Sequence, residues 1–198
     1  SDTALTHLKT NLKAGKAIND INITNKVLSE TYYKGEASEE KSDYTFNYRG
    51  AANTQSVRST QINFYEGNIR AGEATPDSAM ILQATYKDEV AQIATLTFDH
   101  YASVDGDNKL LTETFYEGAS GEEKSDYTLN YKGAAGSESI RSTQVNFYGD
   151  NAYRATETEV GPDDAMVRQV TYKNDLSDTA LTHLKTNLKA GKAINDIN

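Results

Sequence analysis

Short stretches in which apolar and polar residues alternate fill most of the chain, and clusters of Gly, Asn, Asp and Ser separate them. The stretches are rich in Thr, Tyr, Phe, Val and Ile, which favour β-strands, whereas the clusters are typical of turns. The pattern predicts strands near 27–34, 43–49, 57–66, 69–74, 79–87, 92–101, 109–117, 126–132, 139–148, 153–159, 165–173 and 178–186. We therefore expect an all-β chain of consecutive antiparallel hairpins.

The first 22 residues are ambiguous between helix and strand. Leu5, Leu8 and Leu12 recur at nearly helical spacing after a Ser or Asp that would cap a helix. However, "TALTHLKT" at the start of the chain aligns with "IATLTFDH" at 93–100, where alternation predicts a strand. The alignment favours a strand near 4–10, followed by a longer connection to Asn25.

The chain repeats itself at an offset of 83 residues. "LSETYYKGEASEEKSDYTFNYRGAA" begins at Leu28 and "LTETFYEGASGEEKSDYTLNYKGAA" begins at Leu111, and farther on the offset grows to 86. This predicts one continuous array over 1–198, with a terminal strand and connection in 1–26, a first unit in 27–109 and a second in 110–198.

Units of this kind stack on their neighbours, so the repeat predicts how the array grows. Six strands in each unit, an even number, would let units follow one another in the same direction. We expect an extended twisted sheet or an open, solenoid-like array of about 12 or 13 strands, in which each unit adds roughly 29 Å.

The string "SDTALTHLKTNLKAGKAINDIN" occupies residues 1–22 and again, unchanged, residues 177–198. Tandem duplication of a two-unit segment is the favoured explanation, and a capping segment added by engineering is the alternative. Because the two ends are identical, the C-terminal copy of one molecule can replace the N-terminal copy of the next. We therefore expect end-to-end self-association that does not close on itself.

Composition limits the partners of the chain. The net charge of −9 disfavours nucleic acid, which is bound through basic residues, and it also disfavours anionic membranes. No apolar run is long enough to span a bilayer, so we expect no membrane insertion. The 13 tyrosines favour a folded protein with a thin core over a disordered chain.

A tyrosine stands just before the turn at the end of most predicted strands. The nine tyrosines are Tyr33, Tyr48, Tyr65, Tyr86, Tyr101, Tyr116, Tyr131, Tyr148 and Tyr172. Such residues lie close together across an antiparallel ladder. We interpret this tyrosine ladder as structural, with rings that cover apolar surface and hydroxyls that stay hydrated. The alternative is an aromatic platform for a glycan or a peptide.

Few residues suggest catalysis or metal binding. Asp105 and Asp107 in "VDGDNK" offer the oxygen ligands that calcium prefers, but the full EF-hand pattern is absent and a solvated hairpin turn is favoured. The three histidines lack the spacing of a ligand pair, and no Gly-rich phosphate loop is present. The sequence predicts no catalytic residue, no cofactor and no metal site, and thus not an enzyme.

Three motifs, "YGDNAYRATET" (148–158), "DYTLNYKG" (126–133) and "FYEGN" (64–68), resemble tyrosine-rich YD/RHS-type repeats of bacterial surface and secreted proteins. Tyr148, Asn151 and Arg154 match the spacing of that motif, although most copies lack the Asp after Tyr and the Gly-Arg pair is absent. The resemblance implies stacked hairpins in an extracellular or cell-surface protein without an active site. We expect a structural repeat module, such as a stalk, fibre or adhesin spacer; the alternative is a glycan- or peptide-binding module with a tyrosine-rich sheet face.

Overall fold

A single antiparallel sheet of eight strands dominates the structure. The computed structural model describes residues 2–14, 25–103, 108–176 and 180–181. Each strand pairs with its neighbours in sequence, in the order β1 to β8, and the sheet does not close. The predicted fold of consecutive antiparallel hairpins is therefore confirmed. The strands are β1 (Ser29–Lys34), β2 (Lys41–Arg49), β3 (Ser56–Tyr65), β4 (Met80–Lys87), β5 (Leu110–Glu117), β6 (Lys124–Lys132), β7 (Ser139–Tyr148) and β8 (Met166–Lys173).

The predicted number of 12 or 13 strands is wrong, because several predicted strands lie outside the sheet. Segments 69–74 and 153–159 contribute only one isolated bridge each, and 92–101 forms turns and a 3-10 helix, Phe98–Ser103. In 178–186, Ala180 and Leu181 are helical, and the remaining residues lie outside the described part of the chain.

Strand pairing explains why these segments are excluded. A strand has two edges, and the two edges of β3, β4 and β7 are already occupied by their neighbours in the sheet. The segments that follow these three strands therefore find no free edge on the strand that precedes them. Each copy of the sequence repeat therefore supplies four strands rather than six.

The N-terminal segment is a helix, α1 (Asp2–Lys13), and the strand predicted near 4–10 is wrong. The leucine spacing was the correct signal. The alignment with 93–100 misled because that segment is not a strand either. Ala180 and Leu181, which hold the positions of Ala4 and Leu5 in the second copy of the 22-residue string, are helical as well.

The core lies on one face of the sheet. Residues paired across antiparallel strands share a face, and the pairs Phe64–Leu82 and Ile62–Ala84 are almost fully buried. The connection between β4 and β5 crosses this face. Its Phe98 ring lies 5.4 Å from the ring of Phe64, measured between centroids, in an edge-on contact. This connection supplies the second layer of the core.

A smaller cluster continues the core in the second half of the sheet. Val145 and Phe147 of β7 are fully buried, and Leu181 packs against them. The half-buried side chain of Leu176 joins the same cluster. Leu176 and Leu181, two described residues of the segment that follows β8, thus pack on this half of the sheet, as the connection after β4 packs on the first half.

Candidate functional site

Seven of the nine ladder tyrosines stand directly after a shift in strand register. Each of the seven strand pairs has one such shift, and these seven tyrosines are Tyr33, Tyr48, Tyr65, Tyr86, Tyr116, Tyr131 and Tyr148. At each shift the extra residue lies on the following strand, opposite the tyrosine, and a bulge of this kind bends the strand that carries it and increases the local twist. Tyr172 lies on β8, and Tyr101 lies in the 3-10 helix rather than on the predicted strand 92–101.

Two of these tyrosines fasten neighbouring strands through the backbone. The hydroxyl of Tyr65 donates to the carbonyl of Ser42 at 2.7 Å, and that of Tyr148 donates to the carbonyl of Ser125 at the same distance. Both tyrosines are buried, and burial raises the pKa of each phenol. The equivalent hydroxyls in the two copies therefore have a structural contact in common.

Two further tyrosines bind carboxylates on the core face. The hydroxyl of Tyr48 donates to Glu30 Oε2 at 2.9 Å, and Tyr131 makes the equivalent bond to Glu113. Burial raises the pKa of both phenols well above the usual range, and the adjacent carboxylate raises it further because it disfavours a phenolate. These hydroxyls remain protonated donors at neutral pH.

The ladder does not form an open aromatic surface. Among its nine members, all of which are described, Tyr33 is the exposed one, with 60% of its surface accessible. Tyr86 is fully buried and donates to the carbonyl of Tyr101. Tyr116 and Tyr172 are half-buried, and the buried Tyr172 hydroxyl has no hydrogen-bond partner in the described residues.

Two ion pairs that were not predicted from the sequence hold the hairpins to their loops. Arg70 Nε donates to Asp43 Oδ1 at 2.7 Å, and the same guanidinium donates to two carbonyls of the β4–β5 connection. In the second copy, Arg154 binds both carboxylate oxygens of Asp126. The recurrence of Asp in "EEKSDY" was a signal for these pairs, but its arginine partner lies 27 or 28 residues farther along.

The face opposite the core carries Thr, Ser, Asn and Gln side chains bonded to one another. The hydroxyls of Thr31 and Thr45 lie 2.9 Å apart, and those of Thr114 and Thr128 lie 3.0 Å apart. Amide groups make equivalent bonds between strands, for example from Gln83 Nε2 to the Asn63 side-chain oxygen at 3.0 Å. This polar face runs across several strands of the sheet.

The structure does not describe Asp105 and Asp107, the two residues that suggested calcium binding, so the calcium hypothesis stays a prediction. Within the described ranges, no group of three or more His, Asp or Glu side chains is arranged to hold a metal ion. The same part of the chain contains no helix with the length and apolar character needed to cross a bilayer.

Strands β1 and β8 each have one outer edge to which no described strand is paired. Tyr48 N donates to Leu28 O, and because bonding alternates along an antiparallel strand, Ser29 and Thr31 direct their backbone groups away from β2. By the same alternation, the bond from Asn174 N to Arg141 O places the backbone groups of the residues at 169 and 171 on the outer edge of β8. Edges of this type accept another strand.

Comparisons with known proteins add no relative. No protein-family model matches the chain, and neither a curated protein nor a solved structure matches it. The resemblance to YD/RHS-type repeats therefore stays a prediction that rests on the motifs described above.

Proposed function

We propose that this chain is a structural repeat module, a rigid spacer within a longer extracellular or cell-surface protein. The observation that carries the proposal is the junction between the two sequence copies. There, β4 pairs with β5 over five residue pairs, so the sheet continues from one copy into the next without a break. A module that continues through its own junction is suited to span distance.

Matching contacts in the two copies support this proposal. The ion pair, the tyrosine-to-carbonyl bond and the glycine turn that follows the second strand occur in both. The backbone φ angles of Gly50 and Gly133 are 103° and 112°, a conformation that side-chain-bearing residues rarely adopt. The two copies therefore use the same local devices to fix the hairpins, as expected when each unit mainly contacts its neighbours.

The spacer advances in the direction perpendicular to its strands. With four strands in each copy and about 4.8 Å between strands, one copy adds roughly 19 Å instead of the 29 Å expected from six strands. The assignment to the cell surface or the extracellular space rests on the acidic composition and on the motif resemblance, and the proposal includes no catalytic step.

The test is to lengthen the module by one copy. A variant with a second copy of residues 27–109 inserted after Lys109 keeps the junction sequence of a repeat. Its maximum dimension in small-angle X-ray scattering should exceed that of the parent by about 19 Å, with an unchanged cross-section. An insert that leaves the maximum dimension unchanged and widens the cross-section would contradict the spacer, because the extra strands would then have folded back on the sheet.

The alternative function is a binding module for glycans or peptides. The observation that favours it is the polar face, where hydroxyl and amide groups recur from strand to strand, rather than the tyrosines, most of which are engaged in internal bonds. A glycan array probed with the labelled chain tests this alternative. A specific signal that Thr114→Ala and Gln83→Ala each remove would support binding at the polar face.

A further inference from the structure

We infer that the outer edge of β8 binds the outer edge of β1 in a second copy of this chain, in the register that β4 and β5 use inside the molecule. The inference rests on the proposed spacer function, since it identifies the partner that extends the sheet. The β4–β5 pair is an example of the same contact within one chain.

The offsets between the two sequence copies give the register of the proposed β8–β1 pair from that of the β4–β5 pair. Strand β8 is the second copy of β4 at an offset of 86, and β1 is the first copy of β5 at an offset of 83. The internal pairs Leu82–Phe115, Gln83–Thr114, Ala84–Glu113 and Thr85–Thr112 thereby correspond to Arg168–Tyr32, Gln169–Thr31, Val170–Glu30 and Thr171–Ser29 between two molecules.

Residues of β8 and β1 are more exposed than their counterparts in β4 and β5, because β4 and β5 pair with each other and the outer edges of β8 and β1 pair with no described strand. Ala84 and Tyr86 of β4 are fully buried, whereas their counterparts Val170 and Tyr172 on β8 are only half-buried. Glu113 of β5 is buried, and its counterpart on β1 is half-buried. Pairing of β8 with β1 would restore the environment that the sequence repeat already has at the β4–β5 junction.

Side chains at the two edges are complementary in charge. Arg168 stands opposite Tyr32 in this register, between Glu30 on one diagonal and Lys34 on the other, so its guanidinium is placed to contact an aromatic ring and a carboxylate. At the internal junction, the backbone N of Met80 donates to Glu123 Oε1 at 2.9 Å. By the same offsets, Met166 of one molecule would donate to Glu40 of the next.

The N-terminal helix carries apolar surface that the molecule itself does not cover. Leu5 is 65% exposed, although its counterpart Leu181 in the identical string is 8% exposed and packs on β7. Leu96, in the connection that precedes β5, is also buried against the sheet. Since α1 precedes β1 as this connection precedes β5, a molecule paired at the edge of β1 would supply the surface that Leu5 lacks.

Homotypic pairing of edges is the competing arrangement. Two β8 strands paired antiparallel would bring two copies of Arg168 and Lys173 into one ladder, where like charges on opposing strands are destabilising. Pairing of β8 with β1 avoids this repulsion and leaves an open edge at each end of the assembly. The head-to-tail contact therefore builds a linear series of molecules rather than a closed dimer.

The first experiment blocks one edge at its backbone. Thr31→Pro removes an N–H that points away from β2, and proline is tolerated at the outer side of an edge strand. Thr31→Val is the matched control, because it also loses the side-chain bond to Thr45 but keeps the N–H. In sedimentation equilibrium over a concentration series, the association constant of Thr31→Pro should fall at least about tenfold below that of Thr31→Val.

The second experiment tests the register with cross-links. The chain contains no cysteine, so single cysteines can be introduced without background. After oxidation of an equimolar mixture, Arg168→Cys and Tyr32→Cys should form a mixed disulfide, identified by the mass of the dimer. Arg168→Cys with Thr31→Cys should not, because a shift of one residue places the two side chains on opposite faces of the sheet.

Three results would overturn the inference: a chain that stays monomeric up to millimolar concentration, equal association of the Pro and Val variants, or cross-linking confined to Arg168→Cys homodimers. None of these results would contradict the spacer itself, whose length is measured on monomers by scattering. Conversely, a lengthened variant that fails to grow would contradict the spacer while leaving the edge contact measurable in the parent chain.

Discussion

Removal of the arginine from the buried ion pair in the second copy should destabilise the protein strongly. Arg154 binds both carboxylate oxygens of Asp126, and the two side chains retain only 8% and 2% of their accessible surface. Arg154→Met keeps most of the side-chain volume, so the main change is the loss of the cation. A buried pair that loses one partner typically costs about 3–5 kcal/mol, because the remaining charge has no compensation.

Urea unfolding followed by circular dichroism measures this cost. At a slope of about 2 kcal/mol/M, a loss of 3–5 kcal/mol lowers the midpoint by about 2 M. The double variant Asp126→Asn/Arg154→Met removes the charge as well and should recover most of the loss. Arg141→Met, which replaces an exposed arginine on β7, is the matched control and should stay within about 0.5 kcal/mol of the parent.

The pH dependence of the stability of Arg154→Met gives an independent check, because the direction of the change follows from the pKa of Asp126. Burial raises the pKa of Asp126, and Arg154 opposes that rise. Without Arg154 the folded-state pKa rises further above the unfolded value of about 3.9, so the folded state holds the proton more tightly. The deficit of Arg154→Met should be largest at neutral pH and should shrink as the pH falls toward 4. A deficit below about 1 kcal/mol at pH 7, or a double variant no more stable than the single one, would refute this reasoning.

Three further predictions concern the core, the tyrosines and the turns. Phe64→Ala and Phe147→Ala should each lower the free energy of unfolding by about 3–5 kcal/mol in urea titrations, because both rings are fully buried; a loss below about 1 kcal/mol at either site would show that its core contact does not stabilise the sheet. Burial raises the pKa of Tyr32 to about 12, and unfolded tyrosine titrates near 10, so stability should be intact below pH 10 and fall as the pH rises toward 12; a melting temperature constant across that range would contradict this. Gly133→Ala should destabilise the protein by more than about 1 kcal/mol, since its φ is 112° and a Cβ would lie 2.8 Å from the Ser137 carbonyl oxygen, whereas Gly161→Ala, in a roomier turn, is the control.

The sequence was sufficient to predict the hairpins and several of their details. Alternation located all eight observed strands, since a tyrosine marks the end of each strand and a turn glycine follows six of them. Alternation could not show whether a segment pairs as a strand within the sheet or packs on the face of the sheet. In 92–101, Leu96 and Phe98 are apolar because they cover the sheet face, and local propensity does not distinguish that role from membership of a strand.

The ion pairs were equally invisible, because their partners are far apart in sequence. Asp43 follows the charged residues at 39–41 in sequence, but it is buried against Arg70, which comes from the loop after β3. The burial of Asp43 depends on this contact with a residue 27 positions away, and no local sequence pattern predicts such a contact. The repeat identifies the pairs only once the structure is known: both copies place an arginine against the equivalent aspartate, Arg70 against Asp43 and Arg154 against Asp126.

The tyrosines help to explain how a thin core can support a sheet of this width. The bulges beside Tyr65 and Tyr148 place their extra residue on the following strand, Ile81 on β4 and Val167 on β8, so the strand that carries the tyrosine keeps its alternation. Each of these two tyrosine rings is buried, and its hydroxyl donates to a backbone carbonyl of the preceding strand. These bonds fasten β3 to β2 and β7 to β6 at the strand end, where fraying would otherwise begin. The same contact in both copies helps to hold the register of the sheet without a second sheet, in a chain of which only 37% is hydrophobic.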